Sequence, residues 1–149
     1  MTTIGAFIIV LGVIVMVHEL GHFFAARSVG VRVDRFSIGF PPRFITITSM
    51  PGGFEFRLFF YRKDQKGKIA WGPVKNWLIN KPGQEGSGTE YCLAIIPLGG
   101  YVKMAGMIDE SLDGTIEYKP DELMSKPVWA QIWVMSAGVI MNILLAFII

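Results

Sequence analysis

Charge is scarce in this chain, and histidine and cysteine are scarcer still: Asp, Glu, Lys and Arg make up 17% of the 149 residues, beside two histidines and one cysteine. A lone cysteine, Cys92, excludes an intramolecular disulfide and suits a reducing compartment. Both histidines belong to a motif described below, so none is left to activate Cys92, which reads as a small packing hydrophobe. Glu19 is the single charge in residues 1–26, and no charge follows Lys126. The first apolar run has no basic residue ahead of it and is too long for a signal-peptide core, so it is expected to stay in the mature protein. No Gly-Lys-Ser/Thr follows Gly83, Gly86 or Gly88, which excludes a phosphate loop. A net charge of +2, explained below by topology, gives no reason to infer a nucleic-acid partner.

What is present is apolar: 52% of residues are hydrophobic, concentrated at the two ends. Residues 4–26 and 128–149 are each long enough to span a bilayer, the second reaching roughly 33 Å as a helix against a hydrocarbon core of about 30 Å. All 14 Lys and Arg lie between the spans, with Arg27, Arg32, Arg35 and Arg43 just after the first and Lys119 and Lys126 just before the second. By the positive-inside rule the loop is cytoplasmic and both termini face outward.

The expected organisation is a first transmembrane helix over 1–27, a membrane-associated, β-rich cytoplasmic loop over 28–127 and a second transmembrane helix over 128–149. The fold class is that of an α-helical membrane protein with a loop rich in β-hairpins. Within the loop, residues 44–48, 54–61 and 90–96 carry strand patterns, the last followed by Pro97 and the Gly99-Gly100 pair. Residues 62–88, with Pro-Gly breaks and three glycines, are expected to form an exposed insertion between hairpins. Trp71, Trp77 and the aromatics of 54–60 suit either the lipid interface or a small folded core.

The apolar first segment contains His18-Glu19-Leu20-Gly21-His22. Burying a charge there costs roughly 2.5–3.5 kcal/mol even on mild scales, so chemistry is the natural explanation. Two histidines four apart share one helix face and can converge on a zinc ion. Glu19 sits on the neighbouring stripe, where a carboxylate reaches a metal-bound water as general base. Gly21 suits close helix packing. His18 lies about 21 Å along the helix from Ile4, so the site is within the membrane near its cytoplasmic edge, and water must reach it through a cavity walled by further helices.

Three further stretches follow in order: Phe36-Ser37-Ile38-Gly39-Phe40, Gly88-Thr89-Glu90-Tyr91, and Ile96-Pro97-Leu98-Gly99-Gly100-Tyr101-Val102-Lys103-Met104. With the histidine motif they resemble the site-2 protease family of intramembrane zinc peptidases, in particular its bacterial regulators of envelope stress. The resemblance covers the whole chain, with 64–88 the least typical part. It implies that His18 and His22 bind zinc, that Glu19 is catalytic, and that the strand carrying Gly99, Gly100, Tyr101, Val102 and Lys103 enters the membrane and pairs with an unwound transmembrane substrate. An exposed strand edge can capture an extended segment through its backbone. Ala137-Gly138-Val139-Ile140-Met141-Asn142 is similar to a family segment that usually has Pro at the place of Val139, and Asn142 is read as a substrate contact or interhelical glue.

The resemblance further implies a third zinc ligand, an Asp in a Leu-Asp-Gly motif on a later helix. Leu112-Asp113-Gly114 has those letters but lies in the polar loop, as does a partial calcium-loop pattern from Asp109 in which Pro120 replaces the final Glu; a solvated acidic loop is expected. The third ligand is therefore expected outside this chain, which reads as the amino-terminal part of a longer bundle, inactive alone, continuing through a PDZ-like region. The implied substrate is a single-span regulatory protein, such as an anti-sigma factor, or a signal-peptide remnant, and the implied location is the bacterial inner membrane. Two other readings suit the residues: a noncatalytic membrane scaffold lacking the third ligand, and another membrane peptidase with the same histidine motif.

Overall fold

A computed structural model of the chain describes residues 2–63, 68–106 and 119–149. Two long helices, α1 (Thr2–Ser28) and α2 (Val128–Ile148), bracket four strands: β1 (Val33–Met50), β2 (Gly53–Lys63), β3 (Ile69–Asn80) and β4 (Glu90–Met104). By length and composition, Thr3–Ser28 and Val128–Ile148 can cross a membrane. Most of their apolar surface is uncovered, as at Phe7, Ile9, Phe147 and Ile148.

The end of α1 is set by local chemistry. Gly30 takes a positive φ of 68°, Val31 N–H donates to Ala26 O at 2.9 Å and Gly30 N–H to Arg27 O at 3.2 Å. This is the glycine-terminated hydrogen-bond pattern that satisfies the last helical carbonyls. It turns the chain straight into β1, with Val31 and Val33 almost fully buried. At the start of α2, Pro127 contributes no N–H, and the Gln131 side-chain amide donates to Lys126 O at 2.8 Å.

The sheet is antiparallel in the order β3-β2-β1-β4. β1 and β2 join through Pro51-Gly52, with Gly52 at φ 84°, the sequence signature of a type II turn. β1 and β4 are both bent, and their register is unusual. Phe36 pairs with Tyr91 on one side and Val102 on the other, while Thr46 pairs with Cys92. The first half of β1 is thus held between the two halves of β4, and residues 100–104 form an outer strand. One bend, at Gly39 (φ 85°), and the other, at Gly99 (φ 136°), interlock: a Cβ on Gly99 would stand 2.6 Å from the Phe40 ring, and one on Gly39 2.7 Å from Ile96 O. Glu90 ties the layers together, accepting from Arg35 at 2.7 Å and Arg43 at 3.3 Å, and Arg35 also donates to the Tyr101 hydroxyl at 3.3 Å.

The exposed insertion expected over 62–88 is in part strand: Arg62 and Lys63 of β2 pair with Ala70 and Ile69, and Ile69–Asn80 is β3, a mostly exposed edge of the sheet. Pro73 disguised the strand: it occupies the edge, next to a register shift where Leu58 pairs with Lys75 and Phe59 with Pro73, which is where a strand tolerates proline.

The buried core sits where α1 ends. Ala25, Ala26, Val31, Val33, Met104, Leu123, Val134 and Ala137 pack together, so α1, β1, β4 and α2 are locked at one point. Gly21 lies next to that lock: a Cβ there would stand 2.5 Å from Ala137 O, so the missing side chain lets the helix backbones meet.

Candidate metal centre

The helical spacing of His18 and His22 brings their Nε2 atoms to 3.1 Å, with the rings edge to face. Two nitrogens bound at tetrahedral zinc distances stand about 3.3 Å apart, so the pair fits one ion. His22 Nδ1–H donates to Val134 O at 2.7 Å, which leaves its Nε2 lone pair for a ligand. His18 Nδ1 lies 3.2 Å from Asn142 Nδ2. Gly138 faces both rings. A Cβ at Gly138 would stand 2.5 Å from His22 Nε2 and 2.6 Å from His18 Nε2, so glycine keeps open the space in front of the two Nε2 atoms. Geometry and donor chemistry together suit zinc.

Among the described residues no three His, Cys, Asp or Glu side chains converge on one metal position. Asp113 and the acidic loop around it lie outside the described residues.

Glu19 and His22 line a cavity of about 300 Å³ together with Tyr101, Val102, Met104 and Met135. β4 brings the strand there. Glu19 Cγ lies 3.5 Å from the place a Cβ would take on Gly100. Residues 100–104 pair with β1 on one side, and among the described residues no strand covers the other. Tyr101 and Val102 therefore stand at the cavity, Gly100 against Glu19, and Gly99 at the bend. Lys103 is exposed and belongs to a neighbouring hollow with Arg32 and Asp34. Asn142 faces His18.

The bend of β4 reaches along α1 beyond the histidines. Pro97 O is 3.6 Å from the Cβ position of Gly12, about 9 Å further along the helix than His18. Apolar side chains at both bends, including Phe40, Ile96 and Leu98, are exposed. Cys92 is buried inside the sheet, and burial pushes its thiol pKa up, in keeping with packing and not with nucleophilic chemistry.

Two contributors escaped the sequence reading. Val134 acts through its carbonyl, which leaves no trace in residue type. Gly138 stands four residues from Val134 and four from Asn142, a spacing that places all three on one stripe of α2.

A model of Peptidase family M50 matches residues 6–63 and 78–149, and the unmatched stretch runs from the end of β2 through most of β3. The chain is similar to Protease RseP of Yersinia pestis, 35% identical over 147 residues, covering 98% of this chain and 24% of the relative. It is 36% identical to a putative zinc metalloprotease of Vibrio cholerae over 95% of this chain and 23% of that protein. With the regulator of sigma E protease of Haemophilus influenzae it shares 35% over 97% of this chain and 24% of the relative. The chain thus spans about a quarter of the length of these relatives.

Proposed function

Since the chain belongs to Peptidase family M50, we propose that it supplies the zinc-binding and proton-transferring part of a site-2-type intramembrane metalloprotease. The single observation that carries this reading is the pair of Nε2 atoms 3.1 Å apart in front of Gly138, with Glu19 turned to a cavity walled by a strand edge that no other strand covers among the described residues. His18 Nε2 and His22 Nε2 would hold the ion together with a third protein ligand, and zinc bound there would supply a Lewis acid to polarise a peptide carbonyl and acidify water.

The remaining chemistry falls to the chain's own groups. Glu19 takes the proton of the attacking water and returns it to the leaving amine. The outer edge of residues 100–104 holds an unwound substrate segment by backbone hydrogen bonds, with Tyr101 and Val102 contacting its side chains and Gly99, Gly100 and Lys103 shaping the approach. A transmembrane helix cannot offer its scissile carbonyl until such a strand has captured it extended. The two uncovered helices and the apolar strand bends support a setting within the bilayer, the inner membrane of a bacterium, with the sheet on the cytoplasmic side. The substrate is a single-span regulatory protein, of the kind suggested by relatives named regulators of sigma E protease.

The test uses the full-length protein in membranes with a single-span reporter substrate. Glu19→Gln lowers cleavage about 10²–10⁴-fold while zinc content stays at the wild-type level, and His22→Ala loses the zinc as well. Cleavage by Glu19→Gln at the wild-type rate overturns the assignment.

A further inference from the structure

The stripe Val134, Gly138 and Asn142 on α2 faces His18 and His22 on α1, each set spaced by one helical turn. Val134 O fixes the proton of His22 on Nδ1. The partner of His18 is different in kind, because a side-chain amide can either donate or accept. As placed, Asn142 Nδ2–H donates to His18 Nδ1, which puts the His18 proton on Nε2, aimed at the free lone pair of His22 Nε2. Asn142 Oδ1 is then buried without a hydrogen-bond partner among the described residues. A buried amide oxygen left unpaired is costly, so this arrangement holds a reason to rearrange.

We propose that Asn142 is a positioning residue for His18: when both Nε2 atoms ligate a cation, the proton on His18 Nε2 leaves to solvent and one from solvent occupies Nδ1, and the Asn142 amide turns over so that Oδ1 accepts that Nδ1–H, while Gly138 leaves the room the cation needs. The turn places Oδ1 where Nδ2 stands, within hydrogen-bond distance of His18 Nδ1. It gives the orphaned oxygen a partner and gives His18 the tautomer that His22 already has. α2 thereby supplies an outer partner for each histidine, as ligating imidazoles require. The proposal rests on the reading of His18 and His22 as metal ligands.

The experiment titrates zinc into the full-length protein in nanodiscs against a chromophoric chelator, and records ¹⁵N-histidine spectra with His18 assigned through its loss in His18→Ala. Asn142→Leu is expected to weaken zinc about 10–100-fold and, with zinc bound, to shift the His18 Nδ1–H signal away from its hydrogen-bonded position. Asn142→Asp, which can only accept, is expected to keep zinc affinity within a few-fold of wild type and the hydrogen-bonded Nδ1–H signal. Gly138→Ala is expected to lose zinc with its helical circular dichroism intact. Wild-type affinity and Nδ1–H signal in Asn142→Leu overturn the proposal, as does an equal loss in Asn142→Asp, which would make Asn142 a needed donor. If His18→Ala leaves zinc binding unchanged, the metal-site reading itself fails, and this proposal with it.

Discussion

At the scale of single residues, the centre depends as much on absent side chains as on present ones. Gly21 and Gly138 are both points where α1 and α2 touch, Gly21 against the Ala137 carbonyl and Gly138 against the two imidazoles. A valine at Gly21 meets backbone at 2.5 Å and Met141 Cγ at 2.7 Å, so the helices must separate. Overpacking of this kind typically costs about 1–3 kcal/mol. Gly21→Val is therefore expected to lower the unfolding temperature in detergent and to weaken zinc binding by displacing Val134 O and Asn142 from their histidines. An unchanged unfolding temperature and zinc affinity would show that the helices do not need this approach.

At the scale of elements, β4 connects the sheet to the candidate centre, and its bend is what turns one strand into two. Gly99 makes that bend with φ 136°, a conformation L side chains rarely adopt, and it lies against Phe40. Gly99→Ala is expected to shift residues 100–104 away from Glu19, reducing cleavage of a transmembrane substrate at least several-fold while zinc affinity holds, because the ligands sit on the helices. Zinc titration and reporter cleavage on the same preparation separate the two effects. The Glu90 pairs with Arg35 and Arg43 brace the same region, and the Glu90 side chain is only 14% exposed, so this bridge is better shielded from water than those at Arg32. Exposed pairs of the latter type contribute little.

At the scale of the whole molecule, two uncovered apolar helices flank a sheet whose bends reach along α1 past the histidines. Placing α1 and α2 across a bilayer puts residue 81, at the end of β3 in the loop, on the side favoured by the flanking basic residues. A cysteine introduced at Lys81 is expected to react with a membrane-impermeant thiol reagent only after the inner membrane is opened. Labelling in intact spheroplasts would reverse the orientation. Cys92 is buried in the sheet and its thiol pKa is raised, so it adds little background to that assay.

The sequence by itself determined both helices and the two-histidine turn, since helical contacts recur every three or four residues and are written in the local pattern. It also located residues 44–48, 54–61 and 90–96 in strands. What only the tertiary structure decided is which groups meet: that β3 pairs with β2 through a disguising proline, that the first half of β1 lies between the halves of β4, and that Gly138 and Asn142 face the histidines. Strand register and the rotation of one helix against another are set by partners distant in sequence, through packing and hydrogen bonds that no local periodicity records.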